Sequence, residues 1–295
     1  MVNLINKKEN IFGDDIAFVE NWDFSQANMS EENRINAITQ VASICYQSSK
    51  SLNSESLYNR LLAESQGLPS SSFEFVPVFI NFEDLDEIEQ TSSIDDIEKM
   101  SIFKYGEILD SSKGLLTNFR AIVYDVETKR LSKNWLKHFN TEEECEIIAK
   151  HFKVFNYKVD FPTRSQMVRH RVNWQELSRR YVSGERVPFE FYISEKMKDI
   201  TSGTYADING YAFHLDTKNL LELCYRHYSK ALEKGVKPQE ARRIIPQAAY
   251  TQIWGAFQPT QYENFMKLRD DEIHAQWEIA QVAKAMRELT QSETV

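Results

Sequence analysis

A mixed α+β protein is what this sequence predicts, and two kinds of periodicity predict it. Residues 73–82 (FEFVPVFINF) and 153–161 (KVFNYKVDF) alternate apolar or aromatic side chains with others, the two-residue repeat of strands that cover one face. Residues 31–46, 219–234 and 274–289 instead repeat apolar side chains at three and four, the repeat of helices laid on a core.

The elements follow in order. Ser30 is placed to cap a helix over 31–46 that turns Ile35, Ile38, Val41, Ala42 and Cys45 inward. A second helix is expected over 55–65, through Leu57, Leu61 and Leu62. Gly67, Pro69 and the run Ser70, Ser71, Ser72 then make a turn into the strand at 73–82, a role that turn preferences alone explain. Residues 83–98 are acidic and polar, an exposed insertion or surface helix. A strand at 103–110, a turn at 111–114 and a helix over 115–126 displaying Asn118 and Arg120 come next. One or two amphipathic helices cover 135–152, and the strand at 153–161 is expected to pair with 73–82. Residues 182–197 read as a loop ending in a short extended run. Gly235 and Pro238 close the helix at 219–234, and Pro238 opens a short helix through 240–245 that sets Arg242 and Arg243 beside a core face. Residues 258–269 lead into a last helix packing Trp277, Ile279, Val282 and Met286.

Composition narrows the function. With 295 residues, 42% hydrophobic and 12% aromatic, the chain can bury a substantial core. It has no apolar run of about 18 residues, and MVNLINKKENIFGDD lacks the apolar core of a signal peptide, so no membrane partner is expected and a cytoplasmic location is. Cys45, Cys145 and Cys224 lie far apart, which suits small buried hydrophobes better than a metal or redox motif. The formal charge of −9 disfavours nucleic acid as a partner. Residues 1–100 hold 6 basic and 18 acidic side chains, residues 101–295 hold 29 and 26, so positive charge gathers in the second part.

It gathers most densely in residues 161–181, FPTRSQMVRHRVNWQELSRRY. Arg164, Arg169, Arg171, Arg179 and Arg180 face a single carboxylate within the segment, Glu176, while Met167, Val168, Trp174 and Leu177 pattern it for partial burial. Guanidinium groups are always charged and match phosphate and carboxylate with a rigid fork of donors. A pocket for a phosphorylated planar ligand is the sharp reading; a solvated basic face is the plain one. A helix beginning after the strand at 153–161 would add its positive end to such a pocket. The chain has no GxxxxGK[ST], GxGxxG or HExxH motif, so side chains must hold the anion. His170 between two arginines is no metal ligand, and either packs as a neutral ring or binds; no metal is expected. Together with these, Gln166, Gln175, Ser178, Arg242, Gln258, Asn264 and Arg269 compose a set of amides, hydroxyls and guanidinium groups suited to a nucleotide.

RHRVNWQELSRRY, with Gln166 ahead of it, resembles the signature of the flavin-dependent thymidylate synthases. ICYQ at 44–47, SSSFEF at 70–75, LLTNFRA at 115–121, ARRIIPQAAYT at 241–251 and NFMKLRDDEIHAQWEI at 264–279 resemble the family's other blocks in the same order. The resemblance implies an antiparallel sheet flanked by helices, in a single domain over 1–295 with a family-variable insertion around 80–150. It implies reductive methylation of dUMP to dTMP, with FAD as cofactor, methylenetetrahydrofolate as carbon donor and NADPH as reductant, in a homotetramer whose sites lie between subunits. By the same resemblance Arg169, His170, Arg171, Glu176, Asn264, Ser71, Gln258 and Thr260 contact FAD. Gln166, Arg169, Glu176, Ser178, Arg179, Arg180 and Arg242 hold dUMP, with Ser178 and Arg180 nearest its phosphate. Arg269 lies against the pyrimidine, where a fixed cation stabilises charge pushed into the ring, so no cysteine nucleophile is required and the three cysteines are expected outside the arginine set. The chain departs from the family pattern in three places: six residues rather than seven separate Arg171 from Ser178, GLPSSS replaces a histidine before the first strand, and Gln258 and Thr260 replace an asparagine and an arginine. A nucleotide-binding regulator that keeps the pocket without the catalysis is the alternative from another class, and an RNA-binding protein a more distant one.

Overall fold

The computed structural model describes residues 12–13, 17–46, 54–63, 69–194, 197, 204–206, 209–210 and 212–291. The N-terminal fifteen-residue stretch read above lies largely outside them, as do Gly67 and the end of the helix expected at 55–65. Its elements are β1 (Ala17–Trp22), α1 (Glu31–Tyr46), α2 (Ser54–Ala63), β2 (Pro77–Asn81), α3 (Phe82–Thr91), β3 (Glu107–Leu109), β4 (Gly114–Asn118), α4 (Phe119–Glu127), α5 (Glu142–His151), β5 (Lys153–Asp160), α6 (Phe161–Met167), β6 (Asn173–Glu176), α7 (Thr217–Glu233), β7 (Tyr250–Phe257), α8 (Pro259–Arg269) and α9 (Trp277–Gln291).

Strand order in the larger sheet is β1-β5-β7-β6, every pair antiparallel, and β2-β4-β3 form a second antiparallel sheet. The α+β class holds, with helices flanking antiparallel sheets. The expected pairing of 73–82 with 153–161 does not occur: β5 lies between β1 and β7, and β2 pairs with β4. Two further expectations shift by one element. Phe73 and Phe75 are buried in a tight helical turn, Ser71–Phe75, before β2 begins at Pro77. Residues 114–118 form a strand, and Asn118 caps α4 by accepting the Ala121 N–H at 3.1 Å. The strand expected at 103–110 shrinks to β3 because Ser101–Lys104 is a helical turn. Its start is fixed by the buried Asp125 carboxylate, which accepts the Ser101 and Ile102 amides at 2.9 Å each.

α1 falls on the predicted residues, and Ser30 accepts the Asn33 N–H at 3.1 Å. Its Arg34, 3% exposed, donates to the carbonyls of Leu136 and His138 and stacks on Phe119 at 3.8 Å, which fastens the middle of the chain to α1. α3 is amphipathic: Leu85 and Ile88 are buried although the stretch is acidic. α7 ends as predicted, with Gly235 at φ 82°, a conformation that disfavours any side chain. After Pro238–Ala241 the chain tightens, leaving Arg242, Arg243 and Ile244 exposed while Ala241 is buried and Ile245 packs partly buried against the same core cluster. In α9, Ile279, Val282 and Met286 are buried against the larger sheet, whereas Trp277 at the first position is 52% exposed. Each fully buried aliphatic or aromatic side chain of this kind contributes about 1.5–3 kcal/mol.

Candidate active site

The basic segment folds as a helix, a reversal and a strand. Asp160 ends β5 and caps α6 by accepting the Thr163 N–H at 3.0 Å, and Pro162 fits the first turn, where no N–H is needed. The cap therefore takes the donor that was expected to face an anion. α6 stops at Met167, and the His170 N–H donates back to the Met167 carbonyl, so Arg169, His170 and Arg171 occupy the reversal and not a helix. β6 then runs antiparallel to β7, with Glu176 opposite Ile253.

This hairpin sets Arg164 against Glu176. Arg164 Nε and Nη2 both donate to Glu176 Oε2, the first at 3.0 Å, and Thr251 Oγ1 on β7 donates to Oε1 at 3.0 Å. Both carboxylate oxygens are thus held, one by a forked cation and one by a hydroxyl. Sequence reasoning placed Arg164 among the five arginines but gave it no role, and it passed over Thr251. The signal available was the single acid amid five bases, which needed one of them as its own partner.

Next to the pair is a cavity of about 610 Å³ lined by Arg164, Glu176, Ser178, Arg179, Arg242 and Arg243. Four guanidinium groups meet one carboxylate that is already engaged, so the cavity attracts an anion. Arg179 is 7% exposed, donates to the carbonyls of Val187 and Pro188, and lies over the Phe189 ring at 4.0 Å. Its Nε has no hydrogen-bond partner among the described residues, and burial lowers its pKa to about 10. A buried cation beside an open polar space is costly until an anion arrives.

A second cavity, about 460 Å³, is lined by Arg169, His170, Arg171, Thr260, Asn264 and Arg269. Arg269 Nε donates to His170 Nε2 at 2.8 Å, and the His170 ring packs on Phe265 with centroids 4.7 Å apart. Burial first, and the Arg269 charge second, lower the His170 pKa, so the ring is the neutral acceptor that the hydrogen bond requires. Burial first, and Arg169 second, lower the Arg269 pKa. Two of its nitrogens point at Gln166, at 3.5 Å from the side-chain and main-chain oxygens.

The structure thus divides the predicted residues. Glu176, Ser178, Arg179 and Arg242 share the first cavity; Arg169, His170, Arg171, Thr260, Asn264 and Arg269 share the second, with Gln166 on its rim. Arg180 is exposed over the Tyr181 ring at 5.2 Å and lines neither. Ser71 donates to Gln175 Oε1 at 2.6 Å, behind β6. Gln258 is 6% exposed, caps α8 and donates to the Tyr105 carbonyl at 2.7 Å, so its amide is already used. The Thr260 amide and hydroxyl both donate to the Glu107 carboxylate, at 3.0 and 2.6 Å. Glu107, reached from 153 positions away, was not foreseen. Nor was Cys45: its Sγ donates to the Glu176 carbonyl at 3.0 Å and accepts from Gln175, and its carbonyl accepts the Ser178 N–H, so one cysteine does touch the strand that carries the site. Burial raises that thiol's pKa to about 11. Among the described residues no group of His, Cys, Asp and Glu could hold a metal ion, and no helix is long and apolar enough to cross a membrane.

Two cavities walled by arginine, amide and hydroxyl groups, the first bordered by Glu176 of β6, carry side chains of the kind that suit organic anions. Residues 104–294 match the family model described as thymidylate synthase complementing protein. The chain belongs to that family. It is similar to the flavin-dependent thymidylate synthase of Thermosipho melanesiensis, 32% identical over 168 residues that cover 54% of this chain and 71% of the relative. The enzyme of that name from Thermotoga neapolitana is 28% identical over 192 residues, covering 62% and 81%. Among solved structures, a UMP/dUMP methylase from Streptomyces cacaoi bound with 5-Br dUMP aligns with a TM-score of 0.37 and 17% identity, over 55% of this chain and 81% of that one.

Proposed function

We propose that this chain is a flavin-dependent thymidylate synthase, an enzyme that methylates dUMP to dTMP with FAD as cofactor, methylenetetrahydrofolate as carbon donor and NADPH as reductant. The observation that carries the proposal is the pair of arginine-lined cavities in a chain of this family, whose relatives bear that name. The first cavity suits dUMP: Ser178, Arg179 and Arg242 are donors for a phosphate, and the fixed Glu176 is an acceptor for a pyrimidine N–H. The second suits the flavin dinucleotide, because Arg169, Arg171 and Asn264 offer donors to a diphosphate and make no hydrogen bond that competes for them among the described residues. FAD bound there would supply the hydride that completes the methyl group.

In this reading Arg269 supplies the fixed positive charge that draws electron density toward the uracil carbonyls and raises the nucleophilicity of C5. Neutral His170 holds the guanidinium in place until substrate replaces that contact. No cysteine need attack the ring, and a Cys45 thiol with its pKa raised to about 11 is poorly suited to do so. Arg269 and Ser178 line different cavities of one chain. We propose further that a complete site pairs the first cavity of one chain with the second cavity of a neighbouring subunit, the arrangement that a homotetramer with sites between subunits calls for. The test is dUMP-dependent oxidation of NADPH by the flavin-loaded protein, with dTMP identified by mass. NADPH oxidation indifferent to dUMP, with no dTMP formed, refutes the proposal.

A further inference from the structure

A third cavity, about 510 Å³, opens where α4 meets the segment between α3 and β3. Neither arginine cavity shares its lining. Lys99, Lys104, Arg120 and Arg130 line it against two carboxylates, Glu74 and Glu98, and Glu74 is already paired with Arg120. Arg120 Nε donates to the Pro69 carbonyl at 2.9 Å and Nη1 to Glu74, which leaves Nη2 without a hydrogen bond among the described residues. Excess cation in a chain of net charge −9 marks the space for an anion.

A second observation is independent of charge. Asn118 is 4% exposed and lines the cavity; its oxygen caps α4, but its amide nitrogen donates no hydrogen bond among the described residues. That nitrogen is not among the sealed side-chain atoms that lack a partner, so it opens on the cavity and an acceptor held there is its expected partner. The positive end of α4 starts at the same residue. Tyr105, 54% exposed at the mouth, and Tyr124 give the space flat aromatic walls.

We propose that this cavity binds a nucleoside phosphate: the base against the tyrosines with an acceptor atom on the Asn118 amide, the phosphate on Arg120, Lys99 and Lys104. The same chemistry belongs to a free nucleotide and to the adenylate half of a dinucleotide. The proposal is independent of the methylation reaction, since none of these residues is assigned to it.

Isothermal titration of the full chain tests it, using AMP, NADP⁺ and inorganic phosphate as separate probes. Saturable binding is expected for AMP or NADP⁺, weakened at least about tenfold by the Lys99→Glu/Lys104→Glu pair, since tenfold is 1.4 kcal/mol and a hydrogen bond to a charged group contributes about 1.5–3 kcal/mol. Both lysines are exposed, so the fold should survive, and Tyr105→Ala checks the base side without touching charge. Ser178→Ala/Arg242→Ala should leave this binding intact, which separates it from the dUMP cavity. Tighter binding of AMP than NADP⁺ assigns the site to free nucleotides, the reverse to dinucleotides. No saturable binding of either, binding indifferent to the lysine pair and to Tyr105→Ala, or phosphate binding as tightly as AMP overturns the proposal.

Discussion

Replacing Arg164 by glutamine probes how Glu176 is held. The change removes the cation but keeps an amide that reaches less far, and it leaves Glu176 with Thr251 as its hydrogen-bond partner. Two charge-assisted hydrogen bonds in a dry interior would be worth about 3–6 kcal/mol together. Here the side chains are 32% and 22% exposed, close enough to water that the unpaired carboxylate can be resolvated, and the loss falls to about 1–2 kcal/mol. A double-mutant cycle of Arg164→Gln and Glu176→Gln, followed by urea unfolding, should show a coupling of about that size at unchanged m-value. Because Glu176 is proposed to orient the pyrimidine, the same variant should raise KM for dUMP more than it lowers kcat. A coupling below about 0.3 kcal/mol, the level at which independent sites add, would refute the reasoning.

Three further outcomes follow from the site. Changing Cys45, Cys145 and Cys224 together to serine should leave appreciable turnover, since burial raises the Cys45 and Cys145 thiols to about 11; a folded but inactive triple variant would contradict a ring chemistry without a cysteine nucleophile. Arg269→Ala should keep dUMP affinity within a few fold while methyl transfer falls by roughly 100-fold or more, as removal of a single fixed donor does elsewhere; full turnover would remove Arg269 from the chemistry. The His170 pKa is lowered in the fold, so below about 6.5 the unfolded chain takes up the proton first. Stability is therefore complete above the unfolded value and declines as pH falls toward the folded one. His170→Gln should flatten that acid slope, and an unchanged slope would show that another group sets it.

Much of the helical frame was legible because α1, α7 and α9 keep one apolar face and one wet face, which is what periodicity detects. The central strand β7 was missed for the opposite reason. All but one of its residues are buried, on both faces, so YTQIWGAF shows no alternation, and Gly255 is there because an added Cβ would come within 2.6 Å of the Trp174 ring. Residues 114–118 are likewise buried throughout and passed for the start of a helix. Within the site, the motif pointed to the family, and the residue types to arginine-lined cavities that the fold does form. What a linear reading could not supply was occupancy: which donors the fold itself had taken. The Gln258 amide was spent on the Tyr105 carbonyl, and Thr260 on Glu107. The assignment of Ser178 and Arg269 to different cavities was also invisible, because both lie in motifs that the family uses together.

Subunit mixing tests the central proposal, that two chains complete one site. Arg242→Ala disables the first cavity and Arg269→Ala the second, and each variant alone should be nearly inactive. If a site takes Arg242 from one chain and Arg269 from its neighbour, unfolding and reassembling the two variants together in equal amounts should restore intact residues at about a quarter of the sites, by symmetry and random pairing. Recovery toward that fraction is the expected result. A mixture no more active than the separate variants, with exchange of subunits verified, would contradict the account.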